Sequence, residues 1–144
     1  MGSMFNLSGR VAIVTGGNGG IGRGIALALA GAGASVAILG RNACKTERVL
    51  GELKSIGTPA LALAVDVTDR TALAPAVDAV VRALGDVDIL VNNAGIANIS
   101  GGVLQESPDD WDRVIETQLN SVFLLSRLVA KGMAERKRGK IINI

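Results

Sequence analysis

Glycines cluster in one short segment, residues 15–22, directly after a run of small and β-branched apolar residues. The segment has the sequence TGGNGGIG, and the run before it is VAIV. Small residues let the backbone turn sharply and aim its N–H groups at an anion, and the N-terminus of a following helix adds partial positive charge. Between a buried strand and a helix, this segment predicts a pyrophosphate-binding turn. The alternative is a glycine-rich turn that only permits tight packing of helix on strand.

Polar residues follow two later apolar runs at the points where those runs end. Asp66 and Val67 follow the third run, and the sequence NNAG at residues 92–95 breaks the fourth. In open α/β sheets, ligands bind beside the carboxyl ends of the strands, so these residues are candidates for the same site as the glycine-rich turn. The alternatives are helix capping before Thr68, for Asp66, and a turn that only stabilises the fourth strand, for residues 92–95.

The end of the second apolar run bears on which nucleotide this site would hold. An acidic residue there would accept hydrogen bonds from the adenosine ribose hydroxyls and favour NAD. The chain has Gly40 and Arg41 instead. A guanidinium can bind a 2′-phosphate through several N–H groups, so Arg41 favours NADP, and NAD is the other possibility. The alternative is an arginine that is simply solvated at the end of a strand.

These residues need a scaffold that brings the ends of several strands together. Apolar runs alternate with helical patterns along the whole chain. The patterns predict strands at residues 11–14, 35–39, 61–65, 87–91 and 140–144, and helices at residues 21–32, 43–56, 68–84 and 109–133. This order predicts an α/β fold: a doubly wound, Rossmann-type parallel sheet between two helical layers, with the chain ending inside the fifth strand.

Two helix starts have more than one interpretation. Pro75 lies within the third helical pattern, so this helix either begins near Ala74 or is kinked there. The fourth helix begins at Asp109 or Asp110. Residues 4–144 are predicted to form one dinucleotide-binding domain, and residues 1–3 are interpreted as an expression scar.

Taken together, three of these segments resemble the motifs of the short-chain dehydrogenase/reductase family. Residues 15–22 match its TGxxxGxG motif, residues 92–95 match its NNAG motif, and Asp66-Val67 is similar to its aspartate contact to the adenine ring. The resemblance runs from about Leu7 to Ile144. The predicted cofactor-binding residues are Thr15, Gly16, Gly17, Asn18, Gly20, Ile21, Gly22, Arg41, Asp66, Val67, Asn93, Ala94 and Gly95.

The resemblance also implies where the catalytic groups would lie. The family's proton relay uses an Asn on the long helix, and Gln118 occupies the matching position; a purely structural polar residue is the alternative. The family's catalytic Ser and its Tyr-x-x-x-Lys pair would follow a segment similar to residues 139–144, and the chain contains no Tyr and no His. These 144 residues alone are therefore predicted to be inactive, whether the chain is naturally short or truncated.

For the intact protein, the resemblance implies hydride transfer between a nicotinamide cofactor and a secondary alcohol or ketone. The part from Trp111 to Ile144 is most similar to members that act on gluconate-like sugar acids and polyols, and members that reduce 3-oxoacyl thioesters are the alternative. A non-catalytic nucleotide-binding or interaction module is the alternative from another class. The family's strand order, 3-2-1-4-5-6-7, implies that the last strand pairs with residues 87–91, and its helix packing implies a homo-oligomer.

Composition limits the other partners. Hydrophobic residues make up 49% of the chain, which is enough for a core, and the formal net charge of +2 argues against nucleic acid or an anionic membrane. The basic run at residues 136–140 is interpreted as a solvated helix end. The apolar runs are too short to span a membrane, and the residues predict no metal site. Because Cys44 is the only cysteine, an intracellular, cytoplasmic location is predicted.

Overall fold

A parallel five-stranded sheet forms the centre of the molecule. The computed structural model describes residues 5–97 and 101–144. The strands are β1 (Val11–Thr15), β2 (Ser35–Gly40), β3 (Ala60–Ala64), β4 (Ile89–Asn92) and β5 (Lys140–Asn143). Their order is β3-β2-β1-β4-β5, and every neighbouring pair is parallel. The doubly wound fold predicted from the sequence is confirmed. The predicted expression scar lies outside the described residues.

Helices cover both faces of this sheet. They are α1 (Gly20–Gly31), α2 (Ala43–Ile56), α3 (Arg70–Leu84), α4 (Pro108–Ile115) and α5 (Ser121–Glu135). The two faces follow from the alternation along β1, because Ala12 and Val14 pack with α1 and α2 whereas Ile13 packs with α3 and α5. All five residues of β1 are buried, as a strand covered on both faces requires. None of the described helices is both long enough and apolar enough to cross a membrane.

Helix α3 begins earlier than one interpretation of the sequence predicted. It runs continuously from Arg70 with Pro75 inside it, so a start near Ala74 is wrong. Its N-terminal cap is Asp69, whose carboxylate accepts a hydrogen bond from the Thr71 N–H at 3.0 Å. Proline lacks the N–H that would reach the carbonyl four residues earlier, but this helix buries enough apolar surface to continue past the missing bond.

The long helix predicted at residues 109–133 is divided into three parts. It begins at Pro108, because the Ser107 side chain caps it by accepting from the Asp110 N–H at 3.1 Å. A start at Asp109 or Asp110 is therefore wrong. Between α4 and α5, residues Glu116–Asn120 form a π-helical segment. We call these five residues the π segment.

The basic run near the C-terminus contacts the sheet and is not simply solvated. Arg138 donates to the buried Asp88 carboxylate at 2.8 Å, and Arg136 donates to the Val87 carbonyl at 2.7 Å. The other carboxylate oxygen of Asp88 accepts from the Val11 N–H at 3.0 Å. These bonds link the C-terminal part of the chain to the amino ends of β4 and β1. The glycine-rich turn lies at the opposite end of the strands.

Candidate functional site

A cleft of about 580 Å³ opens at the carboxyl ends of the first four strands. The residues that line it come from the glycine-rich turn and the start of α1, from the end of β2, from the first turn of α2, from the connections that follow β2, β3 and β4, and from the π segment. They are Gly16, Asn18, Gly19, Gly20, Ile21, Gly22, Leu39, Gly40, Arg41, Asn42, Lys45, Val65, Asp66, Val67, Asn93, Ala94, Gly95, Ile96 and Thr117. Because the strands are parallel, all their carboxyl ends lie at the same end of the sheet, and the cleft follows directly from this topology.

The glycine-rich turn forms one wall of the cleft. At Gly22 the chain passes so close to itself that a Cβ atom would overlap the Gly16 carbonyl oxygen and the Asn93 side chain. The turn leads directly into α1, and the first N–H groups of a helix have no partner within the helix. This wall therefore presents backbone donors and the positive end of a helix dipole to the cleft, which suits a pyrophosphate.

Thr15 and Asn93 join this turn to the connection after β4. The buried Thr15 hydroxyl accepts from the Asn93 N–H at 3.0 Å and from the Ala94 N–H at 2.9 Å. In return, the Asn93 side chain donates to the Thr15 carbonyl at 3.0 Å. Thr15 and Gly17 do not line the cleft. Their place is behind its wall, where Gly17 packs against Ile38.

At the end of β2, Asn18 occupies the space beside Gly40. A Cβ atom at residue 40 would overlap the Asn18 side-chain amide. That amide donates to the Thr46 hydroxyl at 3.1 Å, so it is held in place from α2. Arg41 comes next along the chain, lines the cleft and is exposed. Within the described residues Arg41 forms no ion pair.

Asp66 contributes a carboxylate at the end of β3. One of its oxygens accepts from the Thr68 N–H at 2.9 Å and from the Thr68 hydroxyl at 2.8 Å. This is a local turn and not a helix cap, because α3 is capped by Asp69. Next to Asp66, Val67 is buried in the core and also lines the cleft.

Gln118 lies in the π segment, outside the cleft wall but in contact with it. Its side-chain oxygen accepts from the Ile96 N–H at 3.3 Å, and its side-chain carbon lies against Gly95. Gln118 therefore braces two residues that line the cleft, whereas its neighbour Thr117 lines the cleft directly. π-helical turns are frequent at functional sites because they re-aim a side chain within an otherwise regular helix.

An ion pair links the π segment to α3. Arg70 donates to both carboxylate oxygens of Glu116, at 2.7 and 2.8 Å, and Asn120 donates to the same carboxylate at 2.6 Å. The hydrogen bonds from Arg70 and then from Asn120 lower the pKa of Glu116 to about 2. The carboxylate therefore stays charged across the ordinary pH range.

Several residues that line the cleft were not predicted. Lys45 and Thr117 belong to helices, and Leu39, Asn42 and Ile96 belong to a strand end or its connection. For Lys45 there was a usable signal, because the first turn of a helix that follows a strand lies close to that strand's carboxyl end. For Thr117 there was none, because a π turn shifts the helical period without a recognised sequence mark.

Comparison with known proteins agrees with this geometry. The model of the family described as short chain dehydrogenase matches residues 10–144. Gluconate 5-dehydrogenase of Gluconobacter oxydans is 42% identical over 142 residues, which are 98% of this chain and 55% of that protein. A 3-oxoacyl-[acyl-carrier-protein] reductase of Pseudomonas aeruginosa is 37% identical over 97% of this chain and 56% of its own length. The chain thus spans about half the length of the curated relatives it matches.

Solved structures give the same result in three dimensions. A metagenomic short-chain oxidoreductase in complex with NADP has a TM-score of 0.90 and 39% identity, over 95% of this chain and 62% of that one. An NAD⁺-bound xylitol dehydrogenase has a TM-score of 0.91 and 34% identity, over 98% of this chain and 54% of that one. The sheet order, the braced glycine-rich turn and the match across residues 10–144 lead to one conclusion: this chain belongs to the short-chain dehydrogenase family.

Proposed function

We propose that this chain binds NADP in the cleft and serves an oxidoreductase that transfers hydride between the nicotinamide and a secondary alcohol or ketone. The observation that carries the proposal is the arrangement at the end of β2. Asn18 fills the space beside Gly40, and Arg41 stands next to it without an ion pair among the described residues. The described residues that line the cleft at the end of β2 and the start of α2 offer positive charge and a side-chain amide to the adenosine ribose, and none of them is acidic.

The residues present fit such a cofactor along the length of the cleft. The glycine-rich turn would hold the pyrophosphate, and Arg41 would hold the 2′-phosphate. Asp66 has one carboxylate oxygen outside the hydrogen bonds to Thr68, and this oxygen can accept a hydrogen bond from the adenine amino group. When bound, the nicotinamide ring supplies the hydride donor or acceptor. Asn93, Ala94 and Gly95 would then border the ring's end of the cleft.

Gln118 is proposed to act as a positioning residue. Its hydrogen bond to the Ile96 N–H holds the connection after β4, which forms the wall next to the proposed nicotinamide position. The family's relay residue is Asn, and Gln has one more methylene group. In this chain the π segment places the longer side chain against the connection after β4.

The substrate class is also a proposal, and the relatives support two choices. The 42% identity to a gluconate 5-dehydrogenase favours a sugar acid or polyol. The 37% identity to a 3-oxoacyl-[acyl-carrier-protein] reductase favours a thioester, and we keep this as the alternative. A non-catalytic nucleotide-binding module would also use this cleft, and only turnover by the full-length gene product distinguishes it.

We further propose that the protein assembles as a homo-oligomer in the cytoplasm. The outer surface of the π segment and α5 carries Leu119 and Phe123, which are 59% and 62% exposed. Exposed apolar side chains that lie close together on a helix mark a surface for association. The location rests on the single Cys44, which can form no internal disulfide.

Titration calorimetry with NADP⁺ and NAD⁺ tests the proposed cofactor. We expect the purified chain to bind NADP⁺ at least about tenfold more tightly, because hydrogen bonds to charged groups contribute about 1.5–3 kcal/mol. Equal or tighter binding of NAD⁺ would contradict the preference for NADP. Binding of neither nucleotide would contradict the proposed function as a whole.

A further inference from the structure

We propose that Lys45 is a second cationic ligand of the 2′-phosphate and that it determines, together with Arg41, the preference for NADP. The inference rests on the proposed function, since it adds a specificity-determining residue to the same cleft. Both residues line that cleft, Arg41 directly after β2 and Lys45 in the first turn of α2.

The backbone around Lys45 is fixed by three hydrogen bonds. The Lys45 N–H donates to the Asn42 side-chain oxygen at 2.9 Å, and the Thr46 hydroxyl donates to the Asn42 carbonyl at 2.7 Å. The same Thr46 hydroxyl accepts from the Asn18 amide at 3.1 Å. The first turn of α2 is therefore tied to the glycine-rich turn, and the stem of Lys45 starts from a defined position beside Arg41.

Among the described residues, no ion pair neutralises the two positive charges on this wall of the cleft. Neither Arg41 nor Lys45 forms an ion pair among residues 5–97 and 101–144, and α2 has no acidic residue in its first turn. Elsewhere two arginines form ion pairs with a neighbouring element, Arg23 with Glu52 and Arg70 with Glu116.

A phosphate monoester has the charge needed to pair with both Arg41 and Lys45. At neutral pH it carries a charge of about −1.5 to −2, so one guanidinium neutralises only part of it. Arg41 can bind two of its oxygens side by side, and the compact ammonium group of Lys45 can bind a remaining oxygen from the other side. A nucleotide without the 2′-phosphate offers Lys45 no such partner.

Binding of adenosine 2′,5′-bisphosphate and of AMP, measured by calorimetry, tests the assignment. These probes differ only in the 2′-phosphate and need only the adenosine end of the cleft. For Lys45→Ala we expect bisphosphate affinity to fall about fivefold or more, because the lost contact is a charged one, while AMP affinity stays within about twofold. Lys54→Ala, which removes the same charge from the last turn of the same helix, serves as the control and is expected to change neither affinity. Lys45→Arg is expected to keep most of the bisphosphate affinity.

The outcomes separate this inference from the proposed function. If Arg41→Ala weakens bisphosphate binding and Lys45→Ala does not, only the role of Lys45 is overturned. If Lys45→Ala weakens both probes equally, its role is structural and the inference is also overturned; Lys45→Gln, which keeps the stem, repeats the test should the alanine variant fold poorly. If the unsubstituted chain binds the bisphosphate no better than AMP, the proposed function and this inference fail together.

Discussion

Residues 18, 40 and 41 are the positions on which the proposed choice of nucleotide depends. The Asn18 amide lies where the Cβ atom of any side chain at residue 40 would be, and Thr46 holds that amide in place. An aspartate at residue 40 would therefore have to displace Asn18 before it could reach a ribose. Conversion of this site to NAD specificity thus needs changes at two positions at least, and not a single charge reversal.

Replacement of Arg41 by Asp is expected to weaken NADP⁺ binding at least about tenfold, because repulsion of the 2′-phosphate replaces a charge-assisted contact of about 1.5–3 kcal/mol. NAD⁺ affinity is expected to change much less. Calorimetry provides the measurement. Arg48→Asp, which makes the same change of charge on α2 outside the cleft lining, is the control. An unchanged dissociation constant for NADP⁺ would remove Arg41 from the site.

The candidate site could be predicted in its main residues but not in how they cooperate. The glycine-rich turn, Asp66 and the NNAG sequence follow strands, and any parallel sheet brings strand ends together, so their shared location followed from the sequence. That Thr15 accepts two hydrogen bonds behind the wall depends on a distance between two segments more than 70 residues apart. No local pattern contains such a distance.

Among the elements, the π segment is the one that sequence periodicity did not indicate. The apolar residues on either side of it, from Trp111 to Ile115 and from Val122 to Val129, have the spacing of a single helix, so residues 109–133 were predicted as one helix. The structure inserts the wider turn where Glu116 meets Arg70 and where Gln118 meets the connection after β4. Long-range polar contacts, and not helix propensity, therefore accompany the change of helix type.

The pair between Glu116 and Arg70 predicts a pH dependence of stability. The folded-state pKa of Glu116, about 2, lies below the ordinary value of 4.5, so its contribution to stability is full above pH 4.5 and is lost as the pH falls toward 2. Glu116→Gln removes this dependence. We expect the unsubstituted chain to have the higher Tm at pH 7 and the difference to shrink between pH 4.5 and 2.

Thermal unfolding followed by circular dichroism at several pH values measures that difference. Asp69, whose pKa is lowered by hydrogen bonds from Thr71, titrates in both proteins and cancels in the comparison. When Arg70 is replaced by Met, Glu116→Gln is expected to change the Tm at pH 7 much less than it does in the unsubstituted chain. A difference in Tm that stays constant from pH 7 to 3 would show that it does not come from the charge of Glu116 and would contradict the prediction.

Pro75 predicts a stabilising substitution in α3. It is exposed and lies in the second turn, where it cannot donate to the carbonyl of residue 71. We expect Pro75→Ala to raise the free energy of unfolding by about 1–2 kcal/mol, since the restored hydrogen bond outweighs the greater freedom of the unfolded chain. Urea denaturation measures the change. Ala74→Pro, in the same turn, is expected to be destabilising; if Pro75→Ala were also destabilising, the proline would be part of the helix's packing.

For the molecule as a whole, a parallel sheet between helical layers was predictable because buried parallel strands have continuous apolar runs, whereas the strand order was implied by the resemblance to the family. The strand boundaries were predicted less accurately. β3 is Ala60–Ala64, where residues 61–65 were predicted, and β4 is Ile89–Asn92, where residues 87–91 were predicted. β5 pairs with β4 as expected, and it is the last strand in the sheet order. Its residues Ile141 and Ile142 are 38% and 44% exposed, so this end of the sheet is poorly covered.

These surfaces predict association of the chain with itself. An uncovered edge strand and the exposed Phe123 both favour contact between copies. We expect a dimer or larger assembly, or else poor solubility, when light scattering is measured at micromolar concentration. Phe123→Lys is expected to shift the population toward monomer if the helix surface mediates the contact. A monodisperse species of 14.7 kDa would contradict the prediction.

The 144 residues alone are expected to reduce no carbonyl substrate at an enzymatic rate. The chain contains neither Tyr nor His, so the proton donor of the family mechanism has no candidate within it. Spectrophotometric assays that follow NADPH oxidation with sugar-acid and 3-oxoacyl substrates measure this directly. Sustained turnover by the purified chain, once contaminating dehydrogenases are excluded, would show that another group supplies the proton.

The double hydrogen bond at Thr15 bears on the entropy of nucleotide binding. One hydroxyl holds the N–H groups of Asn93 and Ala94, so the glycine-rich turn and the connection after β4 are fixed to each other within the folded chain. Ordering a backbone residue costs about 1–2 kcal/mol of conformational entropy. Here the two segments are already ordered in the folded chain before a nucleotide binds. The entropic cost of binding is therefore lower than it would be for a mobile wall. We therefore expect the affinity of the cleft to reflect the contacts a nucleotide makes, undiminished by loops it would otherwise have to immobilise.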